Sequence, residues 1–233
     1  LDSDGTAKDY QALKDGLGRR PTLAEFYRSG ANLPRMRKEY GSWFELVATN
    51  EDLDENETLV AAAQREFLRE LETTPMTKSF KMVLLEAFQE LDGWATPPSI
   101  ERLAQRSRAV LERRRPLLSD LPENIRAGED GSSPAWQRYW RVNPVNAWIG
   151  GNQPAAARTF FRVADEHFEP TFEASPEQRE PFVGLVQELI DYRLAAYEAR
   201  SATAATPNNV VPFQATQPNR TELPYFPNLR IAC

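Results

Sequence analysis

Arg102, Arg106 and Arg113 stand at i, i+4 and i+11 in the stretch IERLAQRSRAVLERRR, residues 100–115, with Arg108, Arg114 and Arg115 close by. On a helix that spacing puts the first three on one side, while Ile100, Leu103, Ala104, Ser107, Val110 and Leu111 share the other. A helix held by its apolar side and showing guanidinium groups outward is the arrangement a helix-turn-helix reader offers to DNA. The alternative is a solvated basic face with no ligand. Two further sets of cations could meet phosphate oxygens: Lys78 and Lys81 beside the start of the preceding helix, and Arg35, Arg37 and Lys38 with Arg19 and Arg20 in a small helical segment.

Other chemistry is poorly represented. There is no glycine-rich phosphate loop ending in Gly-Lys-Ser/Thr and no dinucleotide fingerprint. His167 is the single histidine and Cys233 the single cysteine, so neither a zinc site nor a histidine-based nucleophile has its partners in this chain. Catalytic residues, metal ligands and cofactors are therefore not expected here. Trp136, Tyr139 and Trp140 form an aromatic stripe beside Arg138 and Arg141, suited either to a core or to stacking on bases.

The elements that must hold these residues are mostly helices. Phe80, Val83, Leu84, Ala87, Phe88 and Leu91 repeat at helical spacing, after Pro75 and Thr77 and before Gly93, and Ser99 is placed to cap the arginine helix that follows. The spacing predicts three short helices in residues 19–52, with Thr22 and Ser42 as caps, another helix over 57–71, and a long one over 177–200 started by Ser175 and Pro176, its first turn irregular because of Pro181. Asn143-Pro144 is expected to break a helix. The alternation in TFFRVADEHFEPTF predicts a hairpin around Asp165 and Glu166. The expected fold is mainly α with a small hairpin, built of helical subdomains that include helix-turn-helix or winged-helix-like units. The division expected is a linker or fragment edge at 1–18, a three-helix repeat at 19–52, a winged-helix-like domain at 57–120, a hinge at 116–133, an α+β subdomain at 134–200, and a Pro-rich linker at 201–233.

Composition narrows the function. The 233 residues carry a net charge of −6, so any nucleic-acid surface must be local. There is no apolar run near the length a membrane span needs, and one cysteine suits a reducing cytoplasm. Leu1 in first place is what a piece of a longer chain would show.

Two stretches resemble known families. Arg20-Pro21-Thr22, Glu25-Phe26 and Tyr40-Gly41-Ser42-Trp43 resemble a small helical repeat found beside homing endonucleases and in bacterial superfamily II helicases of restriction or phage-defence type; PMTKSFKMVLL, residues 75–85, is similar to a segment that follows the motor domains in those helicases. The resemblance implies a DNA-binding accessory region whose ATPase motor lies upstream. Leu223-Pro224-Tyr225-Phe226-Pro227 and Leu229-Arg230-Ile231-Ala232-Cys233 resemble the cleavage-site arm of LexA-type repressors and UmuD-type polymerase subunits. That implies a cut after Cys233, with Ala232 beside it, by a peptidase domain further on. The partners implied are DNA, duplex or single-stranded, and the protein's own helicase and peptidase domains, with no membrane. A protein-interaction scaffold without DNA contact and a LexA-like repressor are the alternatives.

Overall fold

Short polar residues set before apolar-periodic runs start most of the helices. The computed structural model describes residues 4–127, 130–151 and 159–205. Its first helix, α1 (Asp4–Leu17), is followed by three short ones, α2 (Leu23–Arg28), α3 (Leu33–Tyr40) and α4 (Trp43–Thr49). Thr22 and Glu25 make a reciprocal capping box on α2, and Asn32 accepts the Arg35 N–H at 2.9 Å to start α3. Ser42 does not cap α4 with its side chain as expected. Its hydroxyl donates to the Glu45 carboxylate at 2.9 Å, and the first N–H of α4, that of Trp43, is taken at 2.9 Å by the distant Glu72 carboxylate.

The run expected as one helix over 57–71 divides at Gln64 into α5 (Glu55–Ala63) and α6 (Arg65–Thr73). Gln64 leaves helical geometry with ψ at 20°, and its amide donates to the Glu173 carbonyl at 3.1 Å. Next come α7 (Phe80–Glu90) and α8 (Ile100–Arg113), the latter capped by Ser99 as its sequence predicts. At the end of α7 the left-handed position belongs to Asp92, at φ 52°, rather than to Gly93. Gly93 is needed for space: a Cβ there would lie 2.5 Å from the Phe88 ring.

A 3-10 turn (Arg115–Asp120) leads to α9 (Glu123–Arg126) and α10 (Pro134–Trp140). Asn143-Pro144 does not end the helical path there. It sits in a π turn (Arg141–Val145) that runs into α11 (Asn146–Trp148). In that wider turn the Tyr139 carbonyl would look to the N–H of residue 144, which proline lacks, and the Asn143 side chain donates to it instead at 2.7 Å.

The hairpin forms where the alternation places it. β1 (Phe161–Ala164) and β2 (His167–Pro170) pair antiparallel, with Ala164 opposite His167 and both turn residues, Asp165 and Glu166, at positive φ as a two-residue turn of this kind requires. Its inner face is Phe161 stacked on Phe168, with ring centroids 4.6 Å apart. The last helix, α12 (Arg179–Ala205), follows a 3-10 turn at Pro176–Gln178, which keeps Pro181 in its first turn.

Buried apolar residues from Tyr10 on α1 to Tyr197 on α12 form one contiguous cluster, and α12 packs on α2, α5, α6 and α7. Within the segment expected as a linker or fragment edge, Asp4–Leu17 form α1, anchored by Tyr10. The expected hinge puts Leu117, Leu121 and Ile125 into the same core. Trp136 and Trp140 are core residues, stacked at 4.8 Å, and the Trp136 indole donates to the Ala104 carbonyl at 2.7 Å. Among the described residues no helix is long and apolar enough to cross a membrane. The cleavage-site arm, with Ala232 and Cys233, lies outside the described residues.

Candidate nucleic-acid interface

The arginines of α8 are met by carboxylates of α7. Val83, Leu84, Ala87 and Phe88 are buried, and helical spacing leaves Glu86 and Glu90 at the edge of the α7–α8 seam. Arg113 pairs with Glu90 and lies 3.7 Å from Glu86, Arg106 lies 3.7 Å from Glu90, and Arg114 donates to Glu86 at 3.1 Å while reaching toward Asp191 and Glu198 on α12. Burial raises the Glu86 carboxyl above its ordinary range, and the Arg114 charge opposes the shift. Arg102 is exposed with no ion pair among the described residues. Arg108 turns inward, with its guanidinium 5.4 Å from the Trp136 ring and donating to the Ile125 and Arg126 carbonyls at 3.3 and 3.2 Å.

The hairpin covers the start of α8. The Ile100 N–H donates to the Glu166 carbonyl at 2.9 Å, the Phe168 N–H donates to the Pro98 carbonyl at 3.0 Å, and Arg141 pairs with Glu166 at the turn. In a helix-turn-helix reader the N-terminal residues of the second helix are those that reach base edges. Here that end abuts a β-turn.

The basic residues of the 19–52 segment are engaged in the same manner. Arg19 donates to Glu25 at 2.6 Å, and this hydrogen bond above all holds the Glu25 carboxyl down at about 2. Arg20 pairs with the buried Glu188 at 2.9 Å, Arg35 with Glu39 at 2.8 Å, and Arg37 with the buried Glu72 at 2.7 Å while also donating to the Tyr192 hydroxyl at 3.2 Å. Lys38 is exposed, in the field of Glu39. Trp43, whose type and place make it a core residue, is pinned at both ends: its N–H by Glu72 and its indole by Glu188 at 2.6 Å.

No protein-family model, curated protein or solved structure matches the chain.

Lys78 and Lys81 differ from the arginines. Lys78 donates to the Asp120 carbonyl at 2.8 Å and lies 5.1 Å from the Phe80 ring; Lys81 donates to the Thr74 hydroxyl at 2.7 Å and lies 5.1 Å from the Trp148 ring. Neither is ion-paired among the described residues. Five acids that decide the electrostatics, Glu72, Glu86, Glu90, Asp120 and Glu188, stand out only in the structure. The first two and the last sit on the inner faces of amphipathic helices, where an acidic residue inside an apolar stripe is the signal that could have found them. Among the described residues no three acidic, histidine or cysteine side chains gather as a metal site would need.

Proposed function

We propose that this chain is a protein-interaction scaffold, an accessory body that holds the helicase and peptidase domains implied by its resemblances in register. The observation that carries it is the pairing of two of the three outward arginines of α8, Arg106 and Arg113, with Glu86 and Glu90 of α7. Counterion release drives nucleic-acid affinity only where cations are left to pair with phosphate, and here Arg106 and Arg113 would first have to give up carboxylates. The wet face of α8 is then a mixed-charge surface, suited to a polar protein interface.

The test is binding of short duplex and single-stranded DNA at low and moderate salt. The scaffold reading expects no salt-dependent binding at micromolar protein, and a steep loss of affinity with added salt overturns it. Nucleic-acid contact is the second reading, favoured by the exposed and unpaired Arg102 and by Lys38, with backbone contact and little sequence preference as its expected signature. R102E separates the two, since it lowers DNA affinity under the second reading and leaves it at background under the first.

A further inference from the structure

Beside the start of α7 lies a cleft of about 200 Å³ between the loop leading into that helix and the π turn, lined by Thr77, Lys78, Phe80, Lys81, Asn143 and Pro144 among others. Neither lysine that lines it is ion-paired among the described residues. Both lysines are satisfied by neutral oxygens and aromatic faces, as described, whereas most of the arginines around them have carboxylates. Behind the cleft Arg193 on α12 adds a third cation, donating to the Glu72 carbonyl at 2.7 Å and to the Thr74 carbonyl.

Neither Asp120 nor Glu70 is ion-paired with Lys78 or Lys81 among the described residues. The Asp120 carboxylate accepts from the Ser79 N–H at 2.8 Å, the Ser79 hydroxyl at 2.7 Å and the Tyr197 hydroxyl at 2.5 Å. Glu70 supports the Lys81 ammonium only through space. Burial, and the repulsion of Arg193, push that ammonium below the usual lysine range despite Glu70. Lys81 is partly buried and Lys78 exposed, and an anion entering the cleft would give both ammonium groups a counter-charge.

We propose that the cleft between the start of α7 and the π turn is a phosphate-binding site in which Lys78 and Lys81 hold the anion. Two ammonium groups backed by a guanidinium match a dianion better than a single carboxylate, which would leave positive charge in excess. Thr77 also lines the cleft, and its hydroxyl can serve as a further donor there. The phosphate group can come from a small molecule or from a nucleic-acid backbone. The site lies away from the α8 face on which the scaffold reading rests, and only a nucleic-acid source for the phosphate would bear on that reading.

The full chain is treated with an amine-acylating reagent, and modification of Lys81 is followed by peptide mass spectrometry in chloride and in phosphate of equal ionic strength. Phosphate is expected to slow acylation of Lys81, by about tenfold at ten times its dissociation constant, while exposed Lys38 is unaffected. Phosphate should also raise the melting temperature saturably, and K78Q, on an exposed side chain that does not disturb the core, should remove both effects. Equal acylation in the two salts, or full protection in K78Q, overturns the proposal. So does equal protection by an acidic peptide, which would make the cleft a carboxylate site. Pyrophosphate and a short single-stranded oligonucleotide identify the source. Protection by the oligonucleotide at lower concentration than phosphate assigns the site to a nucleic-acid backbone and also counts against the scaffold reading, and protection by pyrophosphate alone assigns it to a small molecule and leaves that reading intact.

Discussion

The Trp43 indole donates to the Glu188 carboxylate at 2.6 Å, tying α4 to α12 across 145 residues of sequence. The same carboxylate accepts the Leu23 N–H at 3.0 Å and faces Arg20 at 2.9 Å, so the entry to α2, the Gly-Ser-Trp corner and the last helix meet on one buried acid. Burial pushes that acid toward protonation, and Arg20 and the two N–H donors oppose it.

Removing the acid should therefore cost more than removing any one donor. E188A leaves a cation and two N–H groups facing a void, a loss of about 3–5 kcal/mol. W43F deletes one hydrogen bond and is expected to cost about 1–3 kcal/mol. Urea melts of E188A, W43F and the double variant should show coupling between the two sites. Additive costs would mean that the indole contact contributes nothing of its own.

Asp120 holds together the starts and ends of three elements: the 3-10 turn that carries it, the first turn of α7 through Ser79, and the last turns of α12 through Tyr197. Burial and the Asp120 carboxylate together push the Tyr197 phenol up to about 12. A raised phenol contributes stability that is complete below the unfolded value near 10 and is lost as pH rises through 12. D120N should move the ultraviolet titration of Tyr197 back toward its ordinary value and cost about 1–3 kcal/mol. An unchanged titration would separate the two residues.

At the other end of the pH scale the Arg19–Glu25 pair matters. Because the Glu25 carboxyl sits at about 2 rather than 4.5, its contribution is complete above 4.5 and disappears as pH falls toward 2. Glu25 is part-buried but its partner Arg19 is exposed, so the effect is small and salt-sensitive. R19Q should flatten the acid limb of the melting-temperature profile and leave neutral stability nearly unchanged; an identical acid limb in R19Q would show that other carboxylates dominate it.

What the sequence made legible was whatever depends on near neighbours. Ser99, Thr22 and the apolar positions of α7 and α8 act within one or two turns, and all behave as their spacing predicts. The hairpin was readable from alternation, although its turn uses Asp165 and Glu166 without a glycine. Contacts between distant segments were not readable. Nothing near Trp43 in the chain points to Glu72 or Glu188, and nothing near Ser42 shows that its capping role has gone to Glu72. The arginine row of α8 is correctly read as facing outward, but which carboxylates stand opposite depends on the rotation of α7 about its own axis, set by Phe80, Val83, Leu84 and Phe88 packing below. A one-position difference there would have left the guanidinium groups bare.

That dependence gives the sharpest test of the charge argument. Glu90 is the carboxylate shared by Arg106 and Arg113, and its side chain is on the surface side of α7, so E90Q keeps size and fold while releasing Arg106 and leaving Arg113 only Glu86, 3.7 Å away. Surface pairs of this kind contribute about 0–1 kcal/mol, and the melting temperature should scarcely move. Nucleic-acid affinity should respond in the opposite sense to most surface mutations: the variant gains salt-dependent binding to short DNA, with one or two phosphates more neutralised than in the parent chain, and R106Q/R113Q added to E90Q removes the gain. Were the parent chain to bind DNA already and E90Q to change neither affinity nor salt slope, the α7 carboxylates would not be what restrains the arginine row, and the contact would have to lie elsewhere, with Arg102 and Lys38 first to be tested.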